Sequence, residues 1–401
     1  MGLTRHKWVF RARFRRGAFG WRSQPAITRV REAVREIKKA AKTDPLLGAE
    51  GAVLFLEKVS GALEHVDSSS GAVGTAVNNA IETLVPIITA APADDTLRQR
   101  WLERLYQAHE NDQIPYIETL TDHWGDLCAS PDIASHWADA LIGLTRHVLT
   151  EAGPGAHFHG ATACLSALHA AGRYPELLDL LSDVKLWHYR IWAVRAMAAT
   201  GQHAEAIAMA EASRNPWSSD ISIDRTCEKI LLAVGKVDEA YRYGRRAHRA
   251  HTYLAWYRNV AKCYPHVSPE QLLEDLVAET PGEDGKWFAA AKSVGLFDQA
   301  IALARRAPTA PQTLIRAARD HADTKPVFAI EAGLAALTWI ARGHGYEISD
   351  SDIREAHEHT MTAANNAGIA EKARLQIEVI ANSAEPMAPR MRAELTRRFV
   401  R

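Results

Sequence analysis

The chain has 401 residues, of which 48 are Lys or Arg, 48 are Asp or Glu and 47% are hydrophobic. This composition is typical of a globular protein that can bury a large core and form more than one structural unit. No apolar run is long enough to predict a membrane-spanning helix. The cysteines lack paired metal-site spacing and favour a reducing, cytoplasmic compartment without a disulfide framework; they are Cys128, Cys164, Cys227 and Cys263.

The neutral total charge conceals a strongly basic N-terminal segment. Residues 1–42 contain thirteen Lys and Arg against two Glu, a net charge of +11, so the remaining 359 residues together carry −11. A basic segment joined to an acidic body predicts contact with an anionic surface or polymer. The candidate contact residues are Lys7, Arg11, Arg13, Arg15, Arg16, Arg22, Arg29 and Arg35.

The first part of this segment, residues 1–24, has an alternating pattern. Trp8, Phe10 and Phe14 alternate with basic residues, which predicts an extended arm with one aromatic and one basic face. Three interpretations of the arm stay open. It can bind nucleic acid through phosphates and stacked bases, pack its aromatic face on the helical-repeat solenoid predicted further along the chain, or dock its charge on the acidic body of its own or a neighbouring chain.

Helical spacing of apolar residues begins after the arm and predicts an N-terminal helical domain over residues 25–152. Its first helix is amphipathic and basic, because an apolar stripe from Ile27 to Ala41 leaves most Arg and Lys on the other side. The sharpest break in the chain is Gly153-Pro154-Gly155, and we expect the domain to end there.

A recurring turn is the main feature of residues 156–345. Each copy has Gly first, Glu or Gln at the fifth position and Ala or Leu at the sixth. A period near thirty residues predicts stacked helical hairpins, because one hairpin cannot bury its apolar face alone. Pro265 and Pro269 occupy a degenerate copy, and residues 346–401 are expected to form capping helices. The clear copies begin at Gly172, Gly201, Gly235 and Gly295.

The turn and the helix after it, as in the run from Gly201 to Ile207, resemble the second half of a tetratricopeptide repeat (TPR). The Trp, Leu-Gly and Tyr positions of that family's first helix are mostly absent, so the resemblance is to TPR-like superhelices over roughly residues 158–310. The whole chain looks like uncharacterised bacterial proteins with a domain of unknown function. Its repeat region is similar to helical segments that accompany SWIM zinc fingers, but the CxC and CxH pairs of that motif are absent. The resemblance therefore implies a cytoplasmic bacterial solenoid and no particular reaction.

Motifs that could carry chemistry are weak. Residues 67–75 offer small residues and hydroxyls ahead of a helix, as phosphate-binding loops do, but no Lys follows, so a simple helix cap is the alternative. The histidines at 157 and 159 with Cys164 and His169, and the pair Glu355 and His359, lack a four-ligand zinc pattern. We therefore predict no catalytic residue, cofactor or metal site, and an enzyme is the least favoured alternative.

Two aromatic clusters at equivalent places in the repeats are candidates for partner binding. They either line a concave groove that anchors a peptide or fill the gaps between hairpins. We expect an all-α protein in which a TPR-like α-α superhelix follows a helical N-terminal region. Its expected role is a non-enzymatic scaffold for a protein partner or self-assembly, with nucleic-acid binding through the arm as the alternative. The groove candidates are Trp187, Tyr189, Trp192, Tyr253, Trp256 and Tyr257.

Overall fold

The computed structural model describes residues 6–151, 156–216 and 219–396. Over these ranges the chain forms 22 α-helices and no β-strand, which confirms the all-α prediction. No helix in the described ranges is both long enough and apolar enough to cross a membrane.

The chain divides into two compact units, Met1–Ser219 (unit 1) and Asp220–Arg401 (unit 2), each with its own hydrophobic core. The expected break at residues 153–155 lies outside the described residues, and helices on both sides of it belong to unit 1. The expected repeat region, residues 156–345, contributes helices to both units.

Unit 1 is built around a core that contains Phe55, Trp101 and Trp124, each 0–1% exposed. A 3-10 helix at Glu118–His123 precedes α6, and a π-helical turn at His147–Glu151 follows α7. The α-helices of unit 1 are α1 (Val9–Arg13), α2 (Ser23–Thr43), α3 (Pro45–Leu63), α4 (Ala72–Thr89), α5 (Asp95–Glu110), α6 (Trp124–Cys128), α7 (Pro131–Arg146), α8 (Ala161–Ala170), α9 (Tyr174–Leu180), α10 (Trp187–Ala199) and α11 (His203–Glu211).

Unit 2 has a separate core around Trp287 and Phe288, and its longest buried helix, α19, packs against both α18 and α20. A 3-10 helix at Asp284–Trp287 precedes α16. The α-helices of unit 2 are α12 (Asp220–Ala233), α13 (Val237–Ala247), α14 (Tyr253–Cys263), α15 (Pro269–Ala278), α16 (Phe288–Ser293), α17 (Phe297–Arg306), α18 (Pro311–His321), α19 (Pro326–Ala341), α20 (Asp350–Asn366), α21 (Ala370–Ala381) and α22 (Ala388–Thr396).

Many helix starts are determined by the local sequence. A capping side chain accepts a hydrogen bond from the backbone N–H three residues later, which satisfies one of the amides that a helix start leaves without a partner. Proline occupies the first turn of several helices, including α3, α7 and α15, where its missing N–H costs nothing. The capping residues are Asp44, Asp94, Ser130, Thr252, Ser268 and Ser349.

The four recurring turns share one backbone geometry. Their glycines have φ between +71° and +84°, a region that side chains disfavour. The next N–H bonds back to the carbonyl five residues earlier, as from Gln202 to Met197 at 2.9 Å, which closes the preceding helix in a Schellman motif. The carbonyl of that same residue then accepts the first hydrogen bond of the following helix, as when the Ala206 N–H donates to the Gln202 carbonyl at 3.0 Å. The predicted turn is therefore confirmed at Gly172, Gly201, Gly235 and Gly295.

Two further turns of this kind lie beyond the predicted copies. Gly343 and Gly368 have φ of +80° and +70°, and the residue after each bonds back in the same way. Between α14 and α15, where the degenerate copy was expected, Ser268 caps α15 instead of a glycine closing the turn. The same glycine-closed helix end therefore occurs at two places that the sequence motif did not indicate.

Replacing the turn glycine Gly201 by Ala is expected to destabilise unit 1 by about 1–2 kcal/mol, because the left-handed backbone would carry a Cβ. Nothing lies within 4 Å of that Cβ, so backbone strain is the only cost. The control is Gly143→Ala on the exposed side of α7, where the added Cβ is also in open space and the backbone is helical. That change should be neutral or stabilising by up to about 1 kcal/mol. Urea unfolding followed by circular dichroism measures both variants, and equal effects would contradict the assigned turn.

Candidate nucleic-acid interface

The described part of the N-terminal arm, residues 6–24, contains a short helix, α1, that packs on α2 and α3, rather than the extended strand-like segment that the alternation predicted. Phe10 and Phe14 are four residues apart, so one helical turn places both on the same side. They are 3% and 1% exposed, and their rings meet Phe55 of α3 edge to face, with centroids 5.8 and 5.1 Å apart. The aromatic face of the arm packs on α3, in the expected N-terminal helical domain, and not on the solenoid that one of the three interpretations proposed.

Trp8 sets the distance between the arm and α3. A Cβ built on Gly51 would lie 2.3 Å from the Trp8 ring, so only glycine lets the indole approach the α3 backbone this closely. Trp8 is 6% exposed and belongs to the same core as Phe10 and Phe14. The aromatic residues of the arm are thus structural, and they hold its backbone in one place.

A carboxylate on α2 fixes the start of the arm helix. The two Glu36 oxygens accept hydrogen bonds from the backbone N–H groups of Val9 at 2.7 Å and Phe10 at 3.1 Å. These two amides belong to the first residues of α1 and have no partner within that helix. Glu36, a residue of the neighbouring helix α2, therefore caps α1. Further along, Gly17 N–H donates to the Gly61 carbonyl at 2.9 Å. The arm is therefore held by its backbone as well as by its aromatic side chains.

The second acidic residue of the basic segment, Glu32, is also engaged. It forms ion pairs with Arg29 at 2.6 Å and Arg13 at 2.8 Å, and the Arg29 hydrogen bond is the main cause of its lowered pKa. Arg16 pairs with Glu64 at 3.1 Å. Both acids in residues 1–42 are thus already bound to the arm or to Arg29.

The cations that remain form a line on α2. Arg31, Arg35, Lys38 and Lys42 are all exposed and recur every three or four residues, which places them on one side of the helix. At a rise of 1.5 Å per residue the line is roughly 16 Å long. Arg35 Nε donates to the Arg31 carbonyl at 3.3 Å. We call these four residues the basic row.

Within the described part of the chain, no carboxylate forms an ion pair with any cation of the basic row. Lys39 is exposed beside the row, and Arg11, Arg15 and Arg22 are exposed on the arm and at the start of α2, again without a described ion-pair partner. Uncompensated, exposed cations on a fixed helix attract phosphate groups, and little structure has to be ordered on binding.

The arm residues proposed from the sequence thus have different roles in the structure. Lys7, Arg11, Arg15, Arg22 and Arg35 are exposed and available to a ligand. Arg13, Arg16 and Arg29 hold carboxylates of unit 1. Sequence reasoning recognised α2 as basic but did not select the other members of the row as site residues. The three-to-four spacing of Arg31, Lys38 and Lys42 was the signal that could have identified them.

The six aromatic groove candidates are mostly interior residues. The cluster in α10 and the cluster in α14 belong to different units. Five of the six side chains are between 3% and 9% exposed, and Tyr253 is half-buried. In α14, the rings of Tyr253 and Trp256 lie 4.8 and 5.2 Å from that of Trp287. Packing between helices, the alternative interpretation, accounts for the burial of Trp187, Tyr189, Trp192, Trp256 and Tyr257.

The other motifs have local structural roles. Asp67 accepts the Ser69 N–H at 3.0 Å, so this segment forms a turn before α4. The N-cap of α4 is Gly71, at φ +70°, which offers no capping side chain, so the expectation that Asp67 or a serine is the cap is wrong. No group of three or more His, Cys, Asp or Glu among the described residues is placed to hold a metal ion.

Unit 2 contains a buried polar cluster that the sequence did not reveal. Glu228, 5% exposed on α12, accepts hydrogen bonds from the Tyr264 hydroxyl at 2.6 Å and from His248 Nε2 at 2.9 Å. Burial raises the pKa of the Glu228 carboxyl, but the hydrogen bonds from His248 and Tyr264 outweigh it and leave the pKa below its usual value. The three residues tie α12 to the segments after α13 and α14.

No known family model matches the chain, and no curated protein is significantly similar to it. The site is therefore interpreted from its geometry and chemistry.

Removing the Phe14 ring should remove much of the free energy that holds the arm on α3. Phe14→Ala is expected to destabilise unit 1 by about 3–5 kcal/mol, because a fully buried ring is replaced by a cavity. Val9→Ala is the matched control, since Val9 is 57% exposed on the same helix and should change stability by less than about 0.5 kcal/mol. Urea denaturation measures both. Wild-type stability of the Phe14 variant would show that the arm does not pack as described.

Glu228→Gln tests the buried cluster and its pH dependence. The variant should lose about 1–3 kcal/mol at pH 7, because a charged hydrogen-bond acceptor becomes neutral. Since the folded pKa of Glu228 is lowered, its contribution is complete above the unfolded value near 4.5 and is lost as pH falls through the folded pKa. The stability gap to wild type should therefore narrow below about pH 4.5. Glu378→Gln, on the exposed side of α21, is the control and should be neutral. A gap that widens in acid would contradict the assigned hydrogen bonds.

Proposed function

We propose that this protein binds nucleic acid through the basic row of α2. The observation that carries the proposal is the line of four exposed cations without a described ion-pair partner, on a helix whose neighbouring acids are engaged elsewhere. Phosphate contacts supply most of the affinity of sequence-independent nucleic-acid binding. Docking of the arm supports the proposal, because α1 packs beside α2 and carries exposed Arg11, and exposed Arg15 follows α1.

The proposed binding should be strongly salt-dependent. Four phosphate contacts predict that the logarithm of the affinity falls with the logarithm of the salt concentration with a slope of about −3. Changing all four residues of the basic row to Gln should weaken binding on the order of 10- to 100-fold at low salt and flatten this slope. Fluorescence anisotropy with labelled oligonucleotides measures both quantities.

A matched control removes the same charge elsewhere. Lys185, Lys229, Arg258 and Lys262 are exposed cations that lie outside the basic segment, and their fourfold Gln variant should bind as wild type does. Equal losses in the two fourfold variants would mean that net charge alone drives binding. A chain that instead self-associates at low salt, and whose row variant is monomeric, would show that the row docks on the acidic body of a second copy.

For the rest of the fold we propose a TPR-like superhelix in the cytoplasm, the compartment that the scattered cysteines favour. Consecutive helices joined by the recurring turn, such as α10 with α11, α12 with α13 and α16 with α17, pack against each other as hairpins of such a solenoid do.

A second candidate function, a scaffold for protein partners, is supported by a groove in unit 2. A cavity of about 440 Å³ lies between α19 and α21, over Leu334 and Ala335. Leu375 and Val379, four residues apart on α21, are 54% and 72% exposed beside it. Unpaired apolar helix faces of this kind are common at protein interfaces. Crosslinking from a lysate, compared between wild type and a Leu375→Gln, Val379→Gln variant, tests this function, and identical sets of crosslinked proteins would contradict it.

A further inference from the structure

An exposed tryptophan precedes α2, the helix that carries the basic row. Trp21 is 73% exposed, two residues before the first residue of α2. The chain has eleven tryptophans; nine of the others are between 0% and 9% exposed, and the tenth, Trp217, lies outside the described residues. A flat aromatic ring of this size offers a large contact area to a ligand.

The position of Trp21 is set by the backbone and not by packing of its ring. Its carbonyl accepts a hydrogen bond from the Asp67 N–H at 2.9 Å, and Arg22, the next residue, is the extended N-cap of α2. No other described aromatic ring contacts the indole. The structure thus holds the backbone of Trp21 in place while leaving the residue 73% exposed.

Trp21 lies next to the N-terminus of the helix that carries the basic row. Within α2, the exposed residues Gln24 and Thr28 lead at steps of four and three to Arg31, on one side of the helix. The helical rise puts Arg31 roughly 12 Å beyond the start of α2. The N-terminus of α2 has no side-chain cap, so its positive dipole end faces the same region. One molecule that contacts the row can therefore reach the indole.

We infer that the ligand of this surface is single-stranded nucleic acid, with a base stacked on Trp21 and the phosphates along the basic row. This inference rests on the proposed function. An aromatic ring next to a cationic track is how proteins bind single strands without reading their sequence. In a duplex the bases are stacked inside and present only edges to a protein, so the ring would gain nothing there.

The stacked base gives the inference a measurable size. Replacing an aromatic stacking platform by Ala weakens single-strand binding by about 5- to 150-fold. Because no charge is removed, the salt dependence of binding should keep its slope. These two properties separate Trp21 from the cations of the row, whose removal flattens the slope.

The test measures binding of the full-length chain to a labelled thymidine 20-mer and to a duplex of the same length, by fluorescence anisotropy at low salt. Trp21→Ala should weaken single-strand binding by about 5- to 150-fold and leave duplex binding within about twofold. Trp21→Phe should retain most single-strand affinity, because the stacking face is kept. Tyr346→Ala, an aromatic residue 83% exposed in unit 2, is the control and should bind as wild type does.

The outcomes separate this inference from the function on which it rests. Wild-type affinity of Trp21→Ala for the single strand, or an equal loss for single strand and duplex, would overturn the role of Trp21 while leaving nucleic-acid binding intact. If the wild-type chain binds neither polymer at low salt, both the inference and the proposed function are wrong.

Discussion

The packing of the arm's aromatic side chains against α3 is the interaction on which the exposed positive charge of unit 1 depends. Phe10 and Phe14 meet Phe55, and Trp8 lies against Gly51, so a segment with a high density of positive charge is held on a hydrophobic core. Repulsion among the Arg and Lys side chains opposes this arrangement. Burial of three large rings favours it by several kcal/mol, at roughly 1.5–3 kcal/mol for each apolar side chain that is fully buried.

The few acids near the arm reinforce this packing. Glu36 caps α1 and Glu32 pairs with Arg13 and Arg29, so both carboxylates of the segment support its structure. Neither forms a described ion pair with the basic row, although, after the Arg29 hydrogen bond, the charge of Arg35 also contributes to the lowered pKa of Glu32. The contacts that hold the arm in the fold also leave the basic row without a described ion-pair partner. The same interactions therefore stabilise unit 1 and keep the positive charges of α2 exposed.

The sequence predicted the helical class and the turns well, because those features are local. A turn that needs a glycine with positive φ between two helices is visible in the sequence as a glycine between two apolar segments. Gly201 and Gly235 have this positive φ. The arm was harder, since Trp8, Phe10 and Phe14 fit a period of two and, in part, a helical step of four. Only the contact with Phe55, distant in sequence, decides between them.

The candidate site was predictable in charge but not in detail. The composition of residues 1–42 indicated an anionic ligand, while the choice among its cations depends on which carboxylates they meet, as Arg16 meets Glu64. The sequence also did not show which aromatic residues are exposed. Trp192 and Trp256 looked suited to a groove and are buried, whereas Trp21 resembled the other arm aromatics and is exposed. Burial follows from packing between distant segments, which one sequence does not display.

The most direct measurement of the central claim is the location of ultraviolet crosslinks between the full-length chain and a single-stranded oligonucleotide. Mass spectrometry of the digested complex identifies the crosslinked peptides. A surface built by the docked arm and α2 predicts crosslinks concentrated in residues 21–42, with Trp21 among them. Crosslinks confined to unit 2, or spread evenly over the chain, would contradict it.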